Sequence, residues 1–392
     1  MTRLVVDARI SRGSWHTGVG VLTRQLVESV RRQRADIHVV LLVNARGAEP
    51  PFGPAPRLEV VEVPLGVGSP RQHRGMRTLL REFGADVVFH THPLAACVQT
   101  HCPGVAAVLD LDPLLVPWEG NAGVKMYERW ILPVVLRRMA GIVALSAAAR
   151  DDIARLMELP RGRIAVLPLG VARHFRPQPV GDAMAGTLAR YGITPPYVLY
   201  HGNKRAHKNV PRLVDAFGRL CRERDWPHQL VIAGRDDPGE REFDGRPIRA
   251  VVTALGLAAR VRYTGFIDEH ELPAVFSGAD VTVVPSLYEG FGLTALEAMA
   301  CGCPVVVSNR GGLAEVVGHA GIQVDPLDTD AIAGAMRRVV RDRSLAVALR
   351  AAGLRRAAEF TWEATARSFL GIVEGVARCG ESRQRSAAAA RV

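Results

Sequence analysis

Short apolar runs alternate with longer stretches in which apolar residues return every three or four positions, and the alternation persists along most of the chain. In the first half the runs cover 4–8, 37–43, 58–63, 87–91, 105–109, 141–145 and 164–167. Helical spacing fills 18–34, 71–83, 121–139 and 147–157. Strand and helix in strict alternation predict parallel α/β architecture. Between 170 and 196 the texture changes. Gly170, Pro177, Pro179, Gly181, Pro195 and Pro196 leave room for one short helical piece at 182–191, which marks a linker. The alternation then restarts with runs at 197–201, 230–233, 261–264, 281–284, 304–308 and 321–324 and a helix at 210–224. Asp268 with Glu271 forms a capping box for a helix through Phe276. Residues 381–392 are small, basic and unpatterned, and are expected to be disordered.

Length agrees with two successive doubly wound units, since 392 residues exceed one ordinary core. The boundaries are drawn at 1–173 and 174–361. With 48% hydrophobic and 23% charged residues the chain is globular. No apolar stretch approaches the roughly 20 residues of a membrane span. The opening residues, interrupted by Asp7, read as a first strand and not as a signal peptide. Six cysteines without CxxC spacing give neither a disulfide framework nor a zinc motif, so reduced thiols and a cytoplasmic setting are expected. Net charge is +11, and residues 1–173 hold 22 Lys and Arg against 15 Asp and Glu. Arg71, Arg74, Arg77 and Arg81 share one side of a helix. Such a stripe is either a solvated face or an attraction to an acidic acceptor or anionic lipid, which would make the protein peripheral at the inner face of the plasma membrane. Aromatics are only 6% and none interleave with the basic residues, which argues against nucleic acid.

The most informative chemistry lies at 289–297, Glu-Gly-Phe-Gly-Leu-Thr-Ala-Leu-Glu. An apolar run ending at Pro285-Ser286 leads into it, and helix-forming residues follow. Strand, glycine loop and helix place free N–H groups and the positive end of a helix dipole at a sheet edge, where phosphate is held. Glu289 stands in the loop and Glu297 about one turn into the helix. Carboxylates suit sugar hydroxyls better than phosphate, so the pair suggests a nucleotide-diphosphate sugar.

The run Tyr288-Glu289-Gly290-Phe291-Gly292-Leu293, with Glu297-Ala298-Met299-Ala300-Cys301-Gly302-Cys303-Pro304-Val305-Val306, resembles the signature of the retaining glycosyltransferases of family four. The likeness extends through 308–317, 324–326 and 202–209. It implies an α/β GT-B fold: two Rossmann-like domains facing across a cleft, the second holding the donor and the first the acceptor. It also implies a C-terminal helix, at about 362–380, that packs back on the first domain with Phe360 and Trp362 as buried anchors. Position by position, the likeness puts Glu289 at the donor sugar and Glu297 at the ribose. Gly290, Phe291, Gly292 and Leu293 would offer N–H groups, and Gly18 and Gly20 would form a first glycine loop at the diphosphate. Lys208 matches the lysine that stabilises the leaving diphosphate. Arg205 is taken as its partner arginine, with Lys204 the rival for that place and otherwise a donor-binding residue. No cofactor or metal is implied.

One departure concerns Leu109-Asp110-Leu111, where many relatives have His-Asp-Leu with the histidine near the donor sugar and the reaction centre. Either Asp110 takes over part of that polar role, which makes it a catalytic candidate, or the sugar lacks the hydroxyl that the histidine would bind. His90 and His92 read as structural histidines. Asp110-Leu111-Asp112 imitates the Asp-x-Asp metal motif of another glycosyltransferase fold, but the basic loop around Lys208 makes a metal redundant. The expected activity is transfer of a hexose, with mannose and hence GDP-mannose favoured, to a glycan or lipid-linked acceptor in polysaccharide assembly. The alternatives are an impaired GT-B scaffolding subunit and a sugar-nucleotide epimerase.

Overall fold

The computed structural model describes residues 2–10, 15–44, 51–53, 55–68, 71–98, 100–116, 122–235 and 247–389. The chain forms two compact units. One comprises Met1–Leu111, Gly123–Gly170 and Thr361–Val392, and the other Asp112–Ala122 and Val171–Phe360.

The first unit is built on β1 (Thr2–Asp7), β2 (Ile37–Asn44), β3 (Leu58–Val63), β4 (Val87–His90), β5 (Gly104–Val108), β6 (Gly141–Ala144) and β7 (Ile164–Val166). These strands form one sheet in the order β3-β2-β1-β4-β5-β6-β7, with every described pair parallel. Val5 stands between Val40 and Val88 in this register, and all three are fully buried. Central strands covered on both faces require such continuous apolar runs. Its helices are α1 (Gly18–Gln33) and α2 (Arg71–Glu82). Later come α4 (Ala122–Met126), a π-helical segment Tyr127–Ile131, α5 (Leu132–Arg138) and α6 (Ala147–Leu156). The short helix α3 (Asp112–Leu115) belongs to the second unit. On α2, Met76 and Leu80 are buried while Arg71, Arg74, Arg77 and Arg81 are exposed, so the arginine stripe faces solvent.

The second unit carries β8 (Tyr197–His201), β9 (Gln229–Ala233), β10 (Val261–Gly265), β11 (Val281–Val284), β12 (Val305–Ser308) and β13 (Ile322–Val324). They pair in the order β10-β9-β8-β11-β12-β13, again all parallel. Its longer helices are α7 (Asp182–Arg190), α8 (Val210–Cys221), α9 (Ile248–Ala254), α10 (Leu272–Ser277), α11 (Leu293–Ala300), α12 (Gly312–Val317), α13 (Thr329–Arg341) and α14 (Arg343–Ala358). The apolar pattern did not single out α13 and α14. Each has a carboxylate N-cap, Asp328 accepting from the Ala331 N–H and Asp342 from the Leu345 N–H, both at 2.9 Å. The expected capping box at Asp268 does not form. Asp268 instead accepts the His270 N–H at 2.9 Å, and Glu271 turns to Arg190 and Tyr191, so the helix starts at Leu272.

Helix α15 (Trp362–Ala389) returns to the first unit. Gln33 Nε2 donates to the Glu363 carbonyl at 2.9 Å, Arg34 pairs with Glu374, and Thr365 Oγ1 donates to the Pro168 carbonyl at 2.7 Å. Phe369 meets Phe89 edge-on at 4.7 Å, and Trp362, Ala366 and Val373 are buried. Phe360 is not an anchor of this helix: it is half-buried in the second unit, under the Arg356 guanidinium and edge-on to Phe291. The helix continues to Ala389, through most of the segment expected to be disordered. Alanine, arginine, glutamate and glutamine are good helix formers and continue it without an apolar stripe.

Candidate active site

In the second unit the chain runs outward from β8 through β9 and β10 on one side, and through β11, β12 and β13 on the other. A reversal of this kind opens a crevice at the C-terminal ends of the two central strands. The basic loop 202–209 follows β8 and the loop 285–292 follows β11, so both candidate loops arrive at one place. Their attachment is specific. Asn209, in the left-handed region at φ 59° and ψ 29°, turns the first loop into α8. Its Nδ2 donates to the carbonyls of Pro285 at 3.0 Å and Pro326 at 2.7 Å. The Leu287 N–H donates to the His207 carbonyl at 2.7 Å.

This frame brings Lys208 Nζ to 2.6 Å from Glu289 Oε1, across 81 residues of sequence. Ser286 Oγ donates to the same oxygen at 2.7 Å. Burial pushes the Glu289 carboxyl up, but the Lys208 ammonium, His207 and the hydrogen bonds from Lys208 and Ser286 outweigh it and hold the group below the usual carboxylate range. The site therefore keeps a charged carboxylate beside a cation. His207 Nδ1 lies 3.4 Å from Asp112 Oδ2, both side chains nearly fully buried. Val116, which follows α3, packs with Leu287 and Tyr288. Sequence reasoning missed Ser286 and the pairing of Asp112 with His207. Ser286 had a local signal, a hydroxyl three residues before Glu289 at the end of a strand; the second pair, 95 residues apart, had none.

Gly292, at φ 115°, caps α11 and has no side chain to take its first N–H groups, so those of Leu293, Thr294 and Ala295 lack an intrahelical partner. Phe291 is buried with its ring against Phe360 and lends the loop its backbone. Gly290 and Phe291 lean on the pair Gly311-Gly312. A Cβ on Gly311 would stand 2.5 Å from the Glu289 carbonyl oxygen, and one on Gly312 would stand 2.5 Å from that of Gly290. The Gly312 N–H donates to Glu289 O at 2.8 Å. Glu297 follows in the helix, 9% exposed, and burial, then the Glu269 charge, raises its carboxyl to about 8.

The rivals in the basic loop are separated by the structure. Lys204 is buried, its ammonium donating to the carbonyls of Gly234 at 2.9 Å and Arg235 at 3.0 Å, whereas the Arg205 side chain is exposed. Gly234 permits this approach, for a Cβ there would meet the Gly202 carbonyl oxygen at 2.0 Å.

The remaining candidates lie in the first unit. Gly18 and Gly20 open α1, where Thr17 Oγ1 accepts the Gly20 N–H at 3.3 Å. Only Gly20 is sterically required: its Cβ would lie 2.7 Å from the Trp15 backbone, while nothing crowds Gly18. His90 is fully buried, with Nδ1 3.0 Å from Asp7 Oδ2 and Nε2 accepting the Cys97 N–H at 3.4 Å. Asp7 is bidentate to Arg9, at 2.7 Å for each bond, which makes His90 part of a structural network. His92 Nδ1 caps a short turn by accepting the Leu94 N–H at 3.2 Å. Leu109 is nearly buried and Asp110 exposed. Asp110 and Asp112 thus part company, one exposed in the first unit and the other paired with His207 in the second. Among the described residues no group of three or more His, Cys, Asp or Glu is placed to hold a metal.

The family model "Glycosyl transferases group 1" matches residues 190–356, and "Glycosyltransferase Family 4" matches residues 16–174. The chain belongs to this glycosyltransferase family. It is 34% identical to O-antigen chain mannosyltransferase B of Escherichia coli over 57% of this chain and 57% of that protein. With MMP alpha-(1->4)-mannosyltransferase of Mycolicibacterium hassiacum it shares 32% identity over 67% of this chain and 59% of that protein. It spans 54–57% of the length of the first curated relatives it matches. Among solved structures, sucrose-phosphate synthase from Thermosynechococcus elongatus superposes with a TM-score of 0.78 at 22% identity, covering all of both chains. That likeness identifies the α/β GT-B fold of this glycosyltransferase family.

Proposed function

We propose that this family-four glycosyltransferase is a retaining, metal-independent hexosyltransferase that uses a nucleotide-diphosphate sugar. The observation that carries the reading is the Lys208–Glu289 pair at the switch point of the second unit, beside the open N–H groups of α11. In the reaction the bond between C1 of the sugar and the diphosphate oxygen breaks, and the oxygen leaves with the electron pair. A bond forms from the acceptor hydroxyl to C1 on the same face, and the hydroxyl proton passes to the departing phosphate. Negative charge grows on the diphosphate, and a cation fixed in advance stabilises it without reorganisation. Lys208 is that cation, with the exposed Arg205 as a second one. Lys204 serves the loop instead, because its ammonium is already held on two carbonyls. Glu289 addresses the sugar and Glu297 the ribose.

Mannose is favoured as the transferred hexose, and GDP-mannose as donor, because mannosyltransferases recur among the relatives. The proposed acceptor is a glycan or lipid-linked glycan of polysaccharide assembly, which the O-antigen relative supports. Donor hydrolysis measured over GDP-mannose, UDP-glucose and UDP-N-acetylglucosamine tests the reading. GDP-mannose should turn over fastest, and activity should persist in excess EDTA. Complete loss on chelation with rescue by manganese would reject the metal-free mechanism. Absence of turnover with every donor would reject the enzyme reading itself.

A further inference from the structure

Of the nine large hydrophobic side chains exposed among the described residues, four lie within nine positions of one another: Met126 (61%), Trp130 (69%), Ile131 (49%) and Val134 (43%). Scattered exposed apolar residues need no explanation, but a cluster marks an interaction surface. The local sequence explains how the cluster arises. Pro133 has no N–H to continue an α register, and the turn before it widens, the Leu132 N–H donating to the Tyr127 carbonyl. The wider turn lets the neighbours Trp130 and Ile131 share one face with Met126 and Val134. The opposite side is fixed in the unit: Glu128, Leu132, Pro133, Val135 and Leu136 are buried, and Tyr127 donates to the Pro93 carbonyl at 3.2 Å.

Charge selects the occupant. Arg129, Arg137 and Arg138 are exposed along the same helix, and its only acidic residue, Glu128, is buried. The Arg129 guanidinium lies 5.9 Å from the Trp130 ring centroid, and Arg137 is 3.6 Å from Glu158. An apolar ridge bearing tryptophan, with exposed Arg129 and Arg138 beside it and Arg137 paired with the exposed Glu158, matches the boundary between acyl chains and anionic headgroups. Four protruding side chains also fall well short of the ~800 Å² per partner of a stable protein interface. We propose that this face, and not the arginine stripe of α2, seats the protein on an anionic phospholipid bilayer. No described helix is long and apolar enough to cross a membrane, so the seating is peripheral. The inference is independent of the proposed reaction.

The test is sedimentation of the full chain with vesicles of phosphatidylcholine alone or mixed equally with phosphatidylglycerol. Binding should require the anionic lipid. Trp130→Ser with Met126→Ser, and separately Arg129→Glu with Arg138→Glu, should each lower partitioning by about tenfold or more. Arg74→Glu with Arg77→Glu on α2 should change it much less. Independently of any folding defect in these variants, tryptophan emission of the unaltered protein should shift to the blue on adding mixed vesicles, and Trp130→Phe should abolish the shift. The proposal is overturned by failure to bind mixed vesicles, by binding that only the α2 pair weakens, or by a dimer in solution that the Trp130 and Met126 changes dissolve.

Discussion

Glu289 and Glu297 lie eight residues apart and occupy opposite electrostatic environments. Glu289 is held charged by Lys208, His207 and Ser286, whereas burial and the Glu269 charge raise Glu297 to about 8. Substitution should therefore separate them. Glu289→Gln weakens a group proposed to sit at the reacting sugar and should lower kcat by about 10- to 100-fold, the loss of one charged hydrogen bond of about 1.5–3 kcal/mol. Glu297→Gln should act mainly on the donor KM. Equal effects on KM alone would dismiss the division. The two also differ in stability. The Glu297 carboxyl binds its proton more tightly in the folded state than its ordinary value of 4.5 would allow, so folding loses stability as pH rises from there to about 8. Relative to the parent, Glu297→Gln should gain stability steadily across that window, on the order of 1 kcal/mol per pH unit, measured by urea denaturation at pH 5 and pH 8. A constant difference would contradict it. Both carboxylates were legible in the sequence, because a strand, glycine loop and helix fix their places. The choice between Lys204 and Arg205 was not. It depends on the carbonyls of Gly234 and Arg235, contributed by a strand end 30 residues away.

At the level of elements, the strands of both sheets were readable to within a residue or two, because most are apolar runs bounded by turn residues, although β3 carries Glu59 and Glu62 and β10 carries Arg262. Helices were less so. The α10 boundary moved because Glu271 found Arg190 and Tyr191 rather than its own helix, and the widened turn before Pro133 leaves no mark in a 3.6-residue period. The turn Gly311-Gly312 shows how an element outside the site shapes it, its backbone pressed against Glu289 and Gly290. Gly312→Ala places a methyl group 2.5 Å from a carbonyl oxygen and must displace the loop. It should cost about 1–3 kcal/mol of stability and weaken donor binding, read by thermal melting with and without nucleoside diphosphate. Gly334, inside α13, has nothing within 4 Å of its would-be Cβ. Gly334→Ala should stabilise by about 0.5–1 kcal/mol and leave donor binding unchanged. If both substitutions behaved alike, backbone contact at Gly312 would not be what the site requires.

Over the whole molecule, the chain leaves the first unit near Gly170 and re-enters it at Thr361, so the fold of that unit is completed by its last segment. The consequence can be tested by ending the chain at Phe360. Such a truncation removes Trp362, Ala366, Phe369 and Val373 from the core and uncovers Phe89, Gln33 and the Pro168 carbonyl. Loss of four buried apolar side chains, at about 1.5–3 kcal/mol for each large one, rivals the total stability of an ordinary domain. The second unit keeps its own core, with the β8 and β11 strands, α8 and α13 inside a single cluster, and Phe360 retained under Arg356. Calorimetry of the truncated chain should show the first unit's transition lost or lowered by more than about 10 °C, with the second unit's transition nearly unchanged. Nucleoside diphosphate should still raise that surviving transition, because Lys208, Glu289 and Glu297 all reside in it. A first unit that melts as before would mean that α15 is dispensable to its core. Loss of both transitions would mean that the two units fold as one.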